Sequence, residues 1–267
     1  MTTQERKAET FRALHEGPPF VIPNPWDVGS ARVLEALGFE ALATTSSGFA
    51  FTLGRVDGGA TLDEVAAHVA ALDRATALPV SVDLENGYGP DPASAAAAIS
   101  RVAGAGAVGG SIEDWDGDAG RIYNLDHAAE RVSAAAEAAH ALPFRFTLTA
   151  RAENHIHGDP DLDDTIARLQ AYQEAGADVL YAPGLTTIDQ IRTVCAAVAR
   201  PVNVLARPHL TFAEIAAAGA QRVSVGGALT WVAAGAMVEA AKAIRERGDF
   251  SALTVRLPLR DWFEDAR

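Results

Sequence analysis

Cysteine occurs once in this sequence of 267 residues, at Cys195. A lone thiol excludes an internal disulfide and fits a reducing compartment, so a cytoplasmic protein is expected. Ile191, Val194 and Val198 give its surroundings a helical apolar spacing, which marks Cys195 as a packing residue rather than a nucleophile. No uninterrupted apolar segment approaches the roughly 20 residues of a membrane span. The most apolar stretch, 223–241, is broken by Gly226, Gly227, Gly235 and Glu239 and reads as a buried strand followed by a packed helix. Residues 1–17 lack the apolar core of a secretory signal and read as a short helix. Basic residues are scarce too, 22 Lys and Arg against 35 Asp and Glu, for a net charge of −13 with no basic stripe. Such a surface repels a phosphate backbone and excludes nucleic acid as a partner. No Gly-x-Gly-x-x-Gly follows the first apolar segment, so a dinucleotide site of that type is not expected.

What is present is a recurring joint, a helix stop followed by a short apolar run. Gly38, Gly106, Gly176 and Gly219 each precede such a run, and Pro79, Pro143 and Pro201 open three more. With Phe20-Val-Ile as the first, eight strands are expected near 20, 41, 80, 108, 145, 179, 202 and 223. Helical spacing fills roughly 61–76, 92–105, 127–141, 162–175, 187–199, 211–218 and 228–246. Eight alternating units at this length favour an α/β fold of the closed (β/α)8 TIM-type barrel over an open sheet. The expected domain is a single barrel over 1–267, with a short N-terminal helix and a C-terminal tail.

Reacting groups of such a barrel lie at the C-terminal ends of its strands. There the third strand offers Asp83 and Glu85, two apart and on one side, and the fourth ends at Glu113. Three carboxylates at one mouth repel unless a cation or bound protons compensate, and oxygen-only ligands favour Mg²⁺ or Mn²⁺. Taken singly, each acid could equally cap a helix or pair with an arginine. Arg151 ends the fifth strand, placed to clamp a substrate carboxylate in two-pronged fashion or to pair with Glu113 or Glu153. Thr44-Thr45-Ser46-Ser47-Gly48 offers hydroxyls and backbone N–H groups to an oxyanion, although alone such a run is commonly a turn.

Together the segments Asn24-Pro-Trp26-Asp27, Thr45-Ser46-Ser47-Gly48, Leu53-Gly54-Arg55-Val56-Asp57-Gly58, Val82-Asp83-Leu-Glu85-Asn-Gly-Tyr-Gly89, Ile112-Glu113-Asp114 and Ala150-Arg151 resemble the isocitrate lyase/phosphoenolpyruvate mutase superfamily. The resemblance covers about residues 10–245, and its specific part is the acidic third-strand motif followed by Ile112-Glu113-Asp114. It implies a divalent ion held mainly by Asp83, with Glu85, Glu113 and Asp57 contacting it directly or through water. It also implies substrates that are small 2-oxo acids giving enolates, held by Thr45, Ser46, Ser47, Gly48 and Arg151, with Asn203 where the family places a substrate-contacting Asn; Trp26, at the end of the first strand, either walls that pocket or packs the barrel top. Arg151, Asp57 and Ser46 are then the catalytic candidates. The eighth helix of this superfamily is often exchanged between subunits, so a homodimer or homotetramer is expected.

The departures narrow the reading. Lyases of the superfamily that cleave isocitrate carry a Lys-Lys/Arg-Cys-Gly-His loop after the fourth strand; residues 115–124 here contain no cysteine, so a thiol general acid is excluded there. The loop, with Gly117 and Gly120, is expected to be a mobile gate. Lys7 and Lys242, the chain's two lysines, lie outside the barrel strands, which excludes Schiff-base aldolase chemistry. The leading expectation is C–C cleavage of an oxaloacetate-like acid. P–C bond phosphonomutase or phosphonopyruvate hydrolase chemistry is the close alternative, and a non-catalytic carboxylate-binding barrel the distant one. His155 and His157 read as part of a solvated loop, and His209 as a weak candidate acid or base.

Overall fold

A computed structural model describes residues 3–157 and 160–264. Ten strands occur among them: β1 (Phe20–Ile22), β2 (Leu42–Ala43), β3 (Val80–Asp83), β4 (Gly109–Glu113), β5 (Trp115–Asp116), β6 (Arg121–Ile122), β7 (Thr147–Arg151), β8 (Val179–Tyr181), β9 (Val202–Leu205) and β10 (Arg222–Ser224). The helices are α1 (Gln4–Glu16), α2 (Val28–Ala36), α3 (Ser46–Thr52), α4 (Leu62–Ala75), α5 (Pro92–Ala103), α6 (Leu125–His140), α7 (Asn154–His157), α8 (Leu162–Glu174), α9 (Ile188–Ala197), α10 (Phe212–Ala217), α11 (Ala228–Arg247) and α12 (Leu259–Glu264). Helix starts are encoded locally. Thr61 with Glu64, Thr187 with Gln190 and Thr211 with Glu214 form reciprocal caps that satisfy the first free N–H groups of α4, α9 and α10.

Eight strands form one parallel sheet in the order β1-β10-β9-β8-β7-β4-β3-β2. Its two edges meet where the Ala43 amide donates to the Pro23 carbonyl (3.1 Å), and Asn24 sews the seam further by donating to the Thr44 carbonyl (3.0 Å). The Asn24 carbonyl oxygen accepts from the Val225 and Gly226 amides, so one side chain ties β1, β2 and the end of β10. The sheet is thus nearly closed into a barrel ringed by helices, as the Gly and Pro stops predict.

Alternation along each strand separates two environments. Leu148 and Ala150 of β7 join the apolar layer under the helices with Ile99, Val102, Val132, Leu169 and Val194. Thr147, Thr149 and Arg151 take the other side. Pairing aligns Glu113 with Arg151, Arg151 with Tyr181, Tyr181 with Asn203, Asn203 with Arg222 and Arg222 with Phe20. One polar row therefore runs across five strands, from the end of β4 to the start of β10.

Four differences from the sequence reading have physical reasons. Two helices, α2 and α3, follow the first two strands; Asp27 and Thr45 cap them, and Ser, Gly and aromatic residues in α3 hide its helical tendency. Residues 115–122, read from the sequence as a loop, form a β5–β6 hairpin with Trp115 paired to Ile122. Helix α11 is not packed as expected: Thr230 is its one buried residue, while Trp231, Val232, Met237 and Val238 are exposed. The C-terminal tail adds α12, whose Phe263 carbonyl accepts from Arg32 of α2. No helix among the described residues is long and apolar enough to cross a membrane.

Candidate active site

The mouth is built by the ends of β2, β3, β4 and β7. Asp83 closes β3, and its backbone N–H donates to the Thr44 hydroxyl (2.9 Å). Its carboxylate accepts from the Glu85 amide (3.2 Å) and from the Ser46 amide (3.3 Å) at the first turn of α3. The chain then turns through a left-handed stretch: φ is 49° at Glu85, 81° at Gly87 and 62° at Tyr88. Gly87 is required there twice over, by its φ and because a Cβ would sit 2.9 Å from the Ala95 Cα. Such strain persists only where other contacts hold it. Arg131 of α6 does so, donating to the Gly89 (2.8 Å) and Asp91 (3.1 Å) carbonyls and to that of Asn86.

Arg151 is the cation of this mouth. Its Nη1 lies 3.2 Å from Glu113 and 3.6 Å from Asp83, and its Nε donates to the fully buried Glu153. Burial opposes its charge, but Glu113, Glu153 and Asp83 more than offset this and hold its pKa well above the usual value. Glu85 is pushed up to about 7 by burial, then by Asp83 and Asp57. Burial likewise raises Glu113 well above the carboxylate range, against the pull of Arg151. Negative charge thus exceeds what one arginine compensates.

Two cavities open here. One of about 180 Å³ runs from Ser46, Asp83 and Arg151 into the barrel; the other, about 560 Å³, lies outward between Glu85, Glu113, Trp115 and His157. The Trp115 ring stacks on His157 at 4.1 Å between centroids and 11° between planes.

The expected site residues divide accordingly. Asp83, Arg151, Ser46 and Asp57 border the inner cavity, and Glu85 and Glu113 the outer one. Asp57 reaches the rim from an exposed loop. Thr45 and Ser47 line the inner cavity, with their hydroxyls 3.2 Å apart. Gly48 and Trp26 border neither cavity: Gly48 is buried, and a Cβ there would meet Thr230, Thr45 and Trp26 within about 3 Å. Asn203 lines the inner cavity, but both ends of its amide are engaged, by Arg222 (2.8 Å) and Ser224 (3.0 Å). His209 is exposed, bonds the Thr186 carbonyl (2.8 Å) and borders neither cavity. Cys195 is inert, its thiol pushed up to about 11 by burial. Lys7 is buried on Asp73 (2.7 Å) and Lys242 pairs on the surface with Glu239, both as the sequence implies.

Sequence reasoning misses Tyr181, His157 and Arg222 as members of these walls. Glu153, which the sequence already offers as a partner for Arg151, holds its Nε and borders neither cavity; His157 carried no signal, because its approach depends on the hairpin.

A divalent cation fits the chemistry of these residues, although among the described residues no three His, Cys, Asp or Glu side chains are drawn into a ready cluster. The donors are oxygen only, and burial, which raises the proton affinity of Glu85 and Glu113, disfavours negative charge there that a bound cation would compensate.

The profile of the family described as phosphoenolpyruvate phosphomutase matches residues 11–245. A crystal structure from Burkholderia cenocepacia, provisionally described as that of a lyase/mutase, is 54% identical, with a TM-score of 0.93 over 97% of this chain and 95% of that one. The structure of 2,3-dimethylmalate lyase, a member of the phosphoenolpyruvate mutase/isocitrate lyase superfamily, is 27% identical, with a TM-score of 0.86 over 98% and 95%. Oxaloacetate decarboxylase of a Bradyrhizobium species is 31% identical over 256 residues, 92% of this chain and 87% of that protein. The chain belongs to the phosphoenolpyruvate phosphomutase family and is an enzyme of the isocitrate lyase/phosphoenolpyruvate mutase superfamily.

Proposed function

We propose that this enzyme is a Mg²⁺-dependent lyase, with Mn²⁺ as an alternative ion, that cleaves a C–C bond of a small oxaloacetate-like 2-oxo acid through an enolate. The observation that carries the reading is Arg151, fixed by Glu153 at the rim of a polar cavity and facing Asp83 and Glu113 within 3.6 Å. The Bradyrhizobium decarboxylase supports the choice of an oxaloacetate-like substrate.

Arg151 has its Nε committed to Glu153, which sets the guanidinium plane so that a terminal nitrogen faces the cavity and can meet a substrate carboxylate. Ser46, with Thr45 and Ser47, lines the opposite wall and offers hydroxyl donors to the same substrate. Asp83 would be the principal ligand of the ion, with Glu85, Glu113 and Asp57 contacting it directly or through water. When bound, the ion supplies positive charge for the oxygen on which the enolate's charge develops. The hairpin of β5 and β6, anchored by Trp115 on His157, borders the outer cavity and restricts water there.

The test is a product profile of the purified enzyme with Mg²⁺, offered oxaloacetate, isocitrate, methylisocitrate and phosphonopyruvate. Pyruvate from oxaloacetate without cleavage of isocitrate or methylisocitrate is expected; robust isocitrate cleavage refutes the subclass, because residues 115–124 hold no thiol. The exposed apolar residues of α11 support a second element of the proposal, a homodimer or homotetramer in which a partner copy covers this helix. Light scattering that returns a monomer contradicts it.

A further inference from the structure

The inner cavity ends on a charge that nothing in the barrel neutralises. Arg222, 5% exposed, is the last polar member of the inward row and borders the same cavity as Arg151. Its three partners are uncharged: Nε donates to the Asn203 carbonyl oxygen (2.8 Å), Nη2 to the Thr149 hydroxyl (3.0 Å) and Nη1 to His15 Nε2 (3.1 Å). His15 is fixed as an acceptor, since its Nδ1 bonds the Phe11 carbonyl (2.8 Å) and so carries the ring proton. Burial and then Arg222 pull the imidazole down to about 3, so it is neutral at physiological pH. Among the described residues no carboxylate reaches ion-pairing distance of Arg222.

A buried ion without a counter-charge costs several kcal/mol even after relaxation. Arginine cannot escape by releasing its proton at neutral pH; burial brings Arg222 down only to about 10. A guanidinium has five N–H groups, of which the three partners occupy three. The cavity of about 180 Å³ exceeds severalfold the roughly 30 Å³ that one water molecule occupies, and it opens at the mouth. Its inner lining of Ser81, Ser111, Asn203 and Ser224 adds hydroxyl and amide groups but no negative charge.

We infer that the inner end of this cavity is a binding site for a small monovalent anion, of halide or formate size, held against Arg222. The site is separate from the clamp at Arg151, and its occupant is either a free ion or the carboxylate of a small acid entering from the mouth. The inference stands independently of the lyase reading, because it is tested by binding without turnover.

Crystals soaked in sodium bromide should show an anomalous peak in contact with the Arg222 guanidinium. A second soak containing pyruvate identifies the source: loss of the bromide peak to pyruvate means that the site takes an acid's carboxylate, and its persistence means a free ion. In solution, the melting temperature should rise saturably in chloride, bromide or formate relative to gluconate at equal ionic strength, by about 2–4 °C for each kcal/mol of binding. Arg222→Met should abolish that difference and be no less stable than wild type in gluconate, since it removes an uncompensated charge. Absence of bromide at Arg222, or a wild-type melting temperature identical in all four salts, overturns the inference. Should the variant fail to fold, the soaks of the wild-type protein still decide.

Discussion

Arg151 and Arg222 stand in the same row of inward side chains, with two strands between them, yet their surroundings are opposite. Three carboxylates crowd Arg151, and its proton is held more tightly than usual. Arg222 has three neutral partners, and burial weakens its hold on the proton. The upper region is short of positive charge and suits a cation; the lower one is short of negative charge and suits an anion. A substrate that is itself an anion, meeting a cation at the mouth, enters a cavity whose field grows more favourable to it inward.

The sharpest way to break this contrast is at the mouth. Asp83→Ala removes the carboxylate placed at the centre of the proposed ion site and should lower turnover by about 100-fold or more, the scale of several kcal/mol of charge stabilisation. Circular dichroism should stay that of the folded protein, because Asp83 is a partly exposed strand end. Wild-type turnover in this variant moves the ion site elsewhere. A smaller effect is expected from Arg151→Lys, which keeps the charge but loses the fixed plane: KM should rise about tenfold, with a fall in kcat from loosened Glu153. An unchanged KM leaves Arg151 as a structural partner of its acids.

Much of this arrangement is legible in the sequence, for local reasons. Glycine and proline stops mark seven of the eight barrel strand starts, and Asp83, Glu113 and Arg151 are strand-end residues that any parallel barrel directs to its mouth. Arg222 is not legible in that way. It opens its strand, so it reads as an N-terminal-end residue, and only the register linking it through Asn203 and Tyr181 brings it into the cavity of Arg151. That register depends on how the whole sheet closes. The exposed face of α11 escapes for a related reason: its apolar residues look like core until the structure shows that none of the described residues covers them.

The remaining expected effect lies beside the lower end of the row and concerns stability rather than turnover. His15, held down to about 3, and His68, held down to about 4 by burial, bind their protons far more readily once the chain unfolds. The folded state therefore carries fewer protons than the unfolded state between roughly pH 6.5 and these values. Stability from these groups is complete above about pH 6.5 and is lost as pH falls, each histidine contributing up to about 1.4 kcal/mol per pH unit within its window. Urea unfolding of wild type and His15→Gln between pH 7 and 4 checks this. The variant should show the shallower slope, and equal slopes would mean that His15 is not held neutral beside Arg222.

The most direct test of the account is the initial rate of pyruvate formation from oxaloacetate by the wild-type enzyme, measured with Mg²⁺, after chelation, and after Mg²⁺ is restored, each corrected for the rate without enzyme. The account predicts that the enzymatic rate vanishes on chelation and returns with the ion, while the protein stays folded throughout. An enzymatic rate that survives excess chelator would contradict the assignment of Asp83, Glu85 and Glu113 as a cation site, and with it the proposed mechanism.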